Sequence, residues 1–130
     1  MRLTKKIRIK TQSIGEILAE IVTDKNPKTA EAVWKALPIN GTVNRWGEEI
    51  YFTIPVKVQD EKAQEEVDIG DLGYWPPGNA FCIFFGPTPV STGAKPRAAS
   101  PVNVFGKIIG ETKSLTKVRS GEKIEVERVE

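Results

Sequence analysis

Apolar residues recur along much of this chain with a period of two, the spacing of strands that turn one face to a core. Leu3, Ile7 and Ile9 alternate with charged residues and predict a half-buried strand over 2–10. Thr11-Gln12-Ser13 reads as a turn. The next segment, IGEILAEIV over 14–22, fits helical spacing through Ile14, Leu18, Ile21 and Val22 and strand spacing through Ile17, Ala19 and Ile21. Its shortness favours a strand that forms a hairpin with the first. Ile50, Phe52 and Ile54 alternate with Tyr51 and Thr53 and predict a strand over 49–55. Val102 to Ile109 reads as an apolar strand interrupted by Gly106, and EKIEVERV over 122–129 as a final strand with one charged face.

One segment changes period. Asn26-Pro27 is a helix start, with asparagine able to cap and proline pre-set for the first turn. Ala30, Val33, Trp34 and Leu37 then recur at helical spacing, and Pro38 stops the helix, which is predicted over 27–37 with Trp34 in the core. A short second helix or turn is predicted near 112–118. Asn40-Gly41 and Trp46-Gly47 read as turns, DEKAQEE over 60–66 as a solvated acidic loop, and the small-residue stretch 90–101 as a long loop.

The densest information lies in VDIGDLGYWPPGNAFCIFFGPTP, residues 67–89. The apolar run from Ala80 to Phe85, bounded by turn signals, predicts a strand buried on both faces. Pro76 and Pro77 donate no backbone hydrogen bonds, so they rim the sheet and hold Trp75 there, as a corner of the core or the wall of a pocket. Seven or eight strands, one clear helix and no βαβ rhythm predict an all-β closed barrel of about eight strands with the helix as a cap. The whole chain, 1–130, is read as a single domain.

Composition narrows the chemistry. The chain is 130 residues with net charge +2 and interspersed acids and bases, so no nucleic-acid partner is expected. No apolar run approaches the ~18 residues of a membrane span, and the N-terminus lacks the apolar core of a signal peptide. No membrane partner and a cytoplasmic location are therefore expected. The single cysteine, Cys82, forms no internal disulfide and reads as a small buried hydrophobe. Histidine is absent, which removes Ser-His and Cys-His nucleophile pairs and histidine-ligated zinc. No cofactor and no metal are expected.

Three blocks resemble cyclophilins, in that family's order: IGEILAEIVTDKNPKTAEAVWKAL, GNAFCIFFGPTP and VFGKIIGETKSLTKV. NRWGEEIYFTIPV, DLGYWPPGNAFCIFFGPTP and SPVNVFGKI look closer still to a group of small prokaryotic cyclophilin-like proteins of unassigned function. The resemblance implies a cyclophilin-like barrel. It also implies prolyl cis/trans isomerisation, in which an arginine bonds to the proline nitrogen while the amide twists over a barrier of roughly 18–20 kcal/mol. Carried over by position, that arginine falls on Arg45, with Arg97 a second candidate. The pocket-floor aromatic falls on Cys82 or, with a shift, on Phe84. The pocket histidine falls on Val102, and the pocket tryptophan has no match in 90–101. Trp46, Tyr74 and Trp75 form an aromatic rim for a bound peptide or ligand, and Asn79, Thr88 and Asn103 are candidate polar groups of the pocket. Because the Phe-His-Arg motif is missing, the expectation is a peptide- or ligand-binding barrel with weak or no isomerase activity. The alternatives are an active isomerase with an altered site and a small-molecule-binding protein or enzyme. The expected partner is a proline-containing peptide, a partner protein or a small ligand.

Overall fold

The computed structural model describes residues 5–129, so residues 2–4 of the first predicted strand lie outside it. The period-two segments become strands. β1 (Lys5–Thr11) and β2 (Gly15–Ile21) form the expected hairpin, with Ile9 opposite Ile17. After the helix α1 (Pro27–Ala36) come β3 (Ile39–Thr42), β4 (Asn44–Arg45) and β5 (Glu49–Thr53). Then follow β6 (Gln64–Glu66), β7 (Asp71–Trp75), β8 (Ala80–Phe84), β9 (Arg97–Ile108) and β10 (Lys123–Val129). A 3₁₀ turn at Pro76–Gly78 separates β7 from β8, and a 3₁₀ helix, Lys113–Lys117, stands where the short second helix was expected.

All the pairings are antiparallel, and the main order is β3-β10-β1-β2-β9-β7-β8-β5-β4, with β6 alongside β9. The sheet is rolled: Ile7 and Ile9 of β1 share one core with Phe52 of β5 and Phe81 of β8. The ladder does not close into the expected barrel, because β3 and β4 sit at its two ends. They are nevertheless consecutive in the chain, joined by Val43 alone, whose N–H donates to the Glu122 carbonyl at 2.9 Å. Ala30 and Val33 of α1, with Leu115 and Val118, complete the inner core. Phe81 anchors it, stacked on Phe52 and edge-on to Phe105, each at 5.1 Å between centroids.

Several local expectations are corrected. Asn40-Gly41 is no turn but part of β3, and the glycine is there because a Cβ would stand 2.7 Å from the Phe52 ring. Trp34 is only partly buried, flanked by Lys5 and Arg128 at 5.2 and 5.0 Å from its ring, because the helix turns Ala30 and Val33 inward instead. Asn26 does not cap α1 with its side chain. It is fully buried, accepting from Lys62 N–H at 2.7 Å and donating to the Val104 carbonyl at 2.9 Å. The acidic stretch 60–66 supplies the cap and is not merely a solvated loop. Glu61 accepts from the N–H groups of Lys28 (3.1 Å) and Thr29 (2.8 Å) and from the Thr29 hydroxyl (2.6 Å). Gln64–Glu66 form β6. The loop expected over 90–101 ends earlier, since β9 begins at Arg97.

Glu61→Ala removes the acceptor of two helix N–H groups, so it should cost about 1–2 kcal/mol, the scale of a lost helix cap, in denaturant unfolding. Phe81→Ala should cost about 3–5 kcal/mol. Trp34→Ala should cost clearly less than that, and an equal loss would mean that the helix packs by a different face.

Candidate functional site

Strand β8 is buried on both faces. Phe81 and Ile83 face the inner core, whereas Ala80, Cys82 and Phe84 join a second, smaller cluster on the outer face with Val67, Ala98, Val102 and Val104. The same alternation turns Ile50 and Phe52 of β5 inward and Glu49 and Tyr51 outward. In β7 it buries Tyr74 in the inner core and turns Trp75 to the outer cluster.

Between these outward side chains lies a cavity of ≈ 220 Å³. Small residues leave the space: Cys82 from β8, and Ala98 and Ala99 with Val102 from β9. Aromatic residues wall it: Trp46 from the turn before β5, Tyr51 from β5 and Trp75 from the end of β7. Tyr51 and Trp75 meet edge-on, centroids 6.5 Å apart. The Trp75 indole N–H donates to the Ser100 hydroxyl at 2.7 Å, which fixes the ring. Gly78 is required beneath it, because a Cβ there would fall 2.7 Å from the ring. Trp75 meets both readings, since it packs against the second cluster and walls the cavity.

Glu49 is the one acid in the lining, and it is 5% exposed. Burial pushes its carboxyl up to about 7, and the neighbouring Cys82 thiol offsets this only in part. Among the described residues no lysine or arginine forms an ion pair with it. Burial, together with Glu49, pushes the Cys82 thiol well above its ordinary range, so it is a poor nucleophile.

Of the residues singled out from the sequence, Trp46 and Trp75 line this cavity, and the fully buried Phe84 belongs to the cluster beneath it. Cys82 and Val102, onto which the cyclophilin pocket positions fall, line it as well. The others lie elsewhere. Arg45 donates to the carbonyls of Gly47 (2.7 Å), Thr116 (2.8 Å) and Val118 (3.0 Å), pairs with Glu48 at 3.3 Å and lies 5.0 Å over the Phe85 ring. It ties the β4–β5 hairpin to the 3₁₀ helix. Arg97 pairs with Glu65 at 3.0 Å. The Tyr74 hydroxyl donates to the Val56 carbonyl at 2.6 Å and meets the Asn79 side chain at 3.0 Å, and Asn79 takes the left-handed conformation that ends the 3₁₀ turn. Thr88 donates to the Arg97 carbonyl and receives no cavity contact. The Asn103 amide donates to the Thr29 hydroxyl and the Gln59 carbonyl, each at 2.9 Å, and accepts from Glu61 N–H. Glu49, Tyr51 and the two alanines escaped sequence reasoning. Their signal was the outward phase of β5 and β9, which reads as solvent when a barrel is assumed to have one core.

A family model described as cyclophilin-like matches residues 5–127. A hypothetical protein from Archaeoglobus fulgidus, solved in solution, is 43% identical, with a TM-score of 0.83 over 99% of this chain and 98% of that one. McbB, solved in complex with tryptophan, shares the fold alone: 16% identity and a TM-score of 0.70 over 94% of this chain but only 44% of McbB. No curated protein matches the chain. Among the described residues no helix is long and apolar enough to cross a membrane, and no group of three or more acidic or cysteine side chains is placed to hold a metal ion.

Glu49 makes stability depend on pH with a definite sign. Its carboxyl titrates near 7 when folded and near 4.5 when unfolded. The folded state therefore holds the extra proton between those values, and its contribution is lost as pH rises through about 7. The loss should be on the order of 3 kcal/mol. Glu49→Gln, which mimics the neutral acid, should flatten this limb of the stability profile measured by denaturant unfolding from pH 4.5 to 8. Parallel profiles for the two proteins would show that Glu49 is not buried as described.

Proposed function

The chain belongs to the cyclophilin-like family, and we propose that it is a binding protein whose site is the aromatic-walled cavity on the outer face of the sheet, with weak or no isomerase activity. The observation that carries the reading is the lining. Trp46, Tyr51 and Trp75 surround small residues at the positions onto which the cyclophilin pocket falls. Aromatic walls give a ligand large contact area at fixed geometry. The volume of ≈ 220 Å³ lies below the ~300–1,000 Å³ of sites for drug-sized molecules, which suits a single side chain or a small organic molecule.

Isomerase chemistry asks for a donor that strengthens its bond as the amide twists. The lining contains no arginine, and the donors of Arg45 are already engaged with three backbone carbonyls and Glu48. That arrangement supports the reading of binding without turnover.

In a coupled cis/trans assay on a proline peptide, the protein should add no rate to the spontaneous reaction. Titration with small apolar and aromatic fragments should shift the amide signals of residues 46–51, 75 and 98–99. Trp46→Ala and Trp75→Ala should weaken fragment binding about tenfold or more. Arg45→Ala loosens only the hairpin that carries Trp46, so it should weaken binding less than either tryptophan variant and lower stability by about 1 kcal/mol. Catalysis that is lost in Arg45→Ala would replace this reading with an isomerase.

A further inference from the structure

The cavity combines two features that point to one ligand class. Its walls are three π-systems, and its only acidic group is a carboxylate-bearing side chain that is 5% exposed and has no cation of its own among the described residues. Resting on the binding role above, we propose that the cavity is a cage for a methylated ammonium group, with Trp46, Tyr51 and Trp75 as its aromatic walls and Glu49 as its counter-ion.

The chemistry favours this class over its neighbours. Aromatic faces attract cations through the ring quadrupole, and the attraction grows as the site is desolvated. A primary ammonium would bring three N–H donors into a lining whose side-chain acceptors are Glu49, the Tyr51 hydroxyl and a weak thiol. A trimethylammonium has no N–H to satisfy, and its methyl groups meet Ala98, Ala99, Val102 and the rings on apolar terms. A neutral guest would leave Glu49 protonated and gain no ionic attraction from it. An anion would meet the acid with no cation to hold it.

Without a cation beside it the acid is about half protonated at pH 7, since Glu49 titrates near 7. A bound cation stabilises the ionised form, so binding releases a proton. The groups facing Glu49 bring no charge at neutral pH, and only the Cys82 thiol acts on its titration, lowering it in part. Cys82 on β8 is pushed well above neutrality, β9 presents Ala98, Ala99 and Val102, Trp75 comes from β7, and Tyr51 shares β5. The nearby cations Arg45 and Arg97 are paired with Glu48 and Glu65.

Choline serves as the cationic probe and 3,3-dimethyl-1-butanol as its neutral isostere, read by tryptophan fluorescence in a Trp34→Phe background. Choline should bind at least tenfold more tightly than the alcohol at pH 8. Its affinity should fall about tenfold between pH 8 and pH 6, following ionisation of a group near 7. Glu49→Gln, checked for an unchanged fold by its circular dichroism spectrum, should lose both the preference and the pH dependence. A trimethyllysine peptide beside its unmodified form identifies the source. Tighter binding than choline indicates a modified side chain, and equal binding indicates a free small molecule. Equal binding of choline and the alcohol would overturn the cation assignment while leaving the pocket standing. Failure of choline to bind would also overturn it, and the fragment titration then judges the pocket separately. A wild-type affinity for choline that is flat in pH would equally remove Glu49 from the role.

Discussion

A strand buried on both faces needs cover on both, and β8 imposes that demand on the whole molecule. Every residue from Ala80 to Phe84 is buried. One set of side chains feeds the inner core. The other set would face water unless a second layer covered it, at roughly 25 cal/mol for each Å² of apolar surface left exposed. The long β9, the short β6 and the hairpin before β5 provide that layer. Because Cys82, Ala98 and Ala99 are too small to fill it, the second layer keeps a void, the one proposed above as the binding site.

Placing a carboxyl group in such a layer is unfavourable. A buried charge with no cation beside it reverts to its neutral form, and the Cys82 thiol offsets this for Glu49 only in part, which is how Glu49 comes to titrate near 7. A glutamine or an apolar residue at this position would avoid the strain. Retaining an acid that can ionise is reasonable for a site whose guest brings the missing charge. The surrounding geometry is held independently of the guest, by the Trp75–Ser100 bond at 2.7 Å and by the Arg45 contacts that fix the hairpin carrying Trp46.

The sequence was most legible where one residue type has one physical use. Alternation gave β1, β2, β5 and β10, the unbroken run gave β8, and proline after asparagine gave the start of α1. Reading failed where a local signal was overridden by a distant partner. Asn26 stands where a cap belongs, yet its side chain bridges residues 62 and 104, and Glu61, far along the chain, caps instead. Asn40-Gly41 is a turn dipeptide in isolation, but β10 pairs with it and Phe52 fills the room beside the glycine. Half of the candidate site was visible, in Trp46 and Trp75, because aromatics beside stiff turns draw notice. Glu49 and Tyr51 were not, since an outward residue on an alternating strand looks solvated until a second layer is known to lie over it.

The place of β10 in the sheet has a consequence for how the chain is made. The last strand enters between β3 and β1, where Lys6 meets Val129 and Val126 meets Ile39. The inner core therefore cannot be sealed by Ile124 and Val126 until the chain has been made through β10. Until then the edges of β1 and β3 stand open, the condition under which growing chains stick to one another. The β1 edge carries charged side chains at Lys6, Arg8 and Lys10, which disfavour pairing with a foreign strand. When β10 arrives it brings Glu125 and Glu127, which pair with Lys10 at 3.8 Å and Arg8 at 2.7 Å. The charges that keep strangers off during synthesis thus become the means by which the proper strand is admitted.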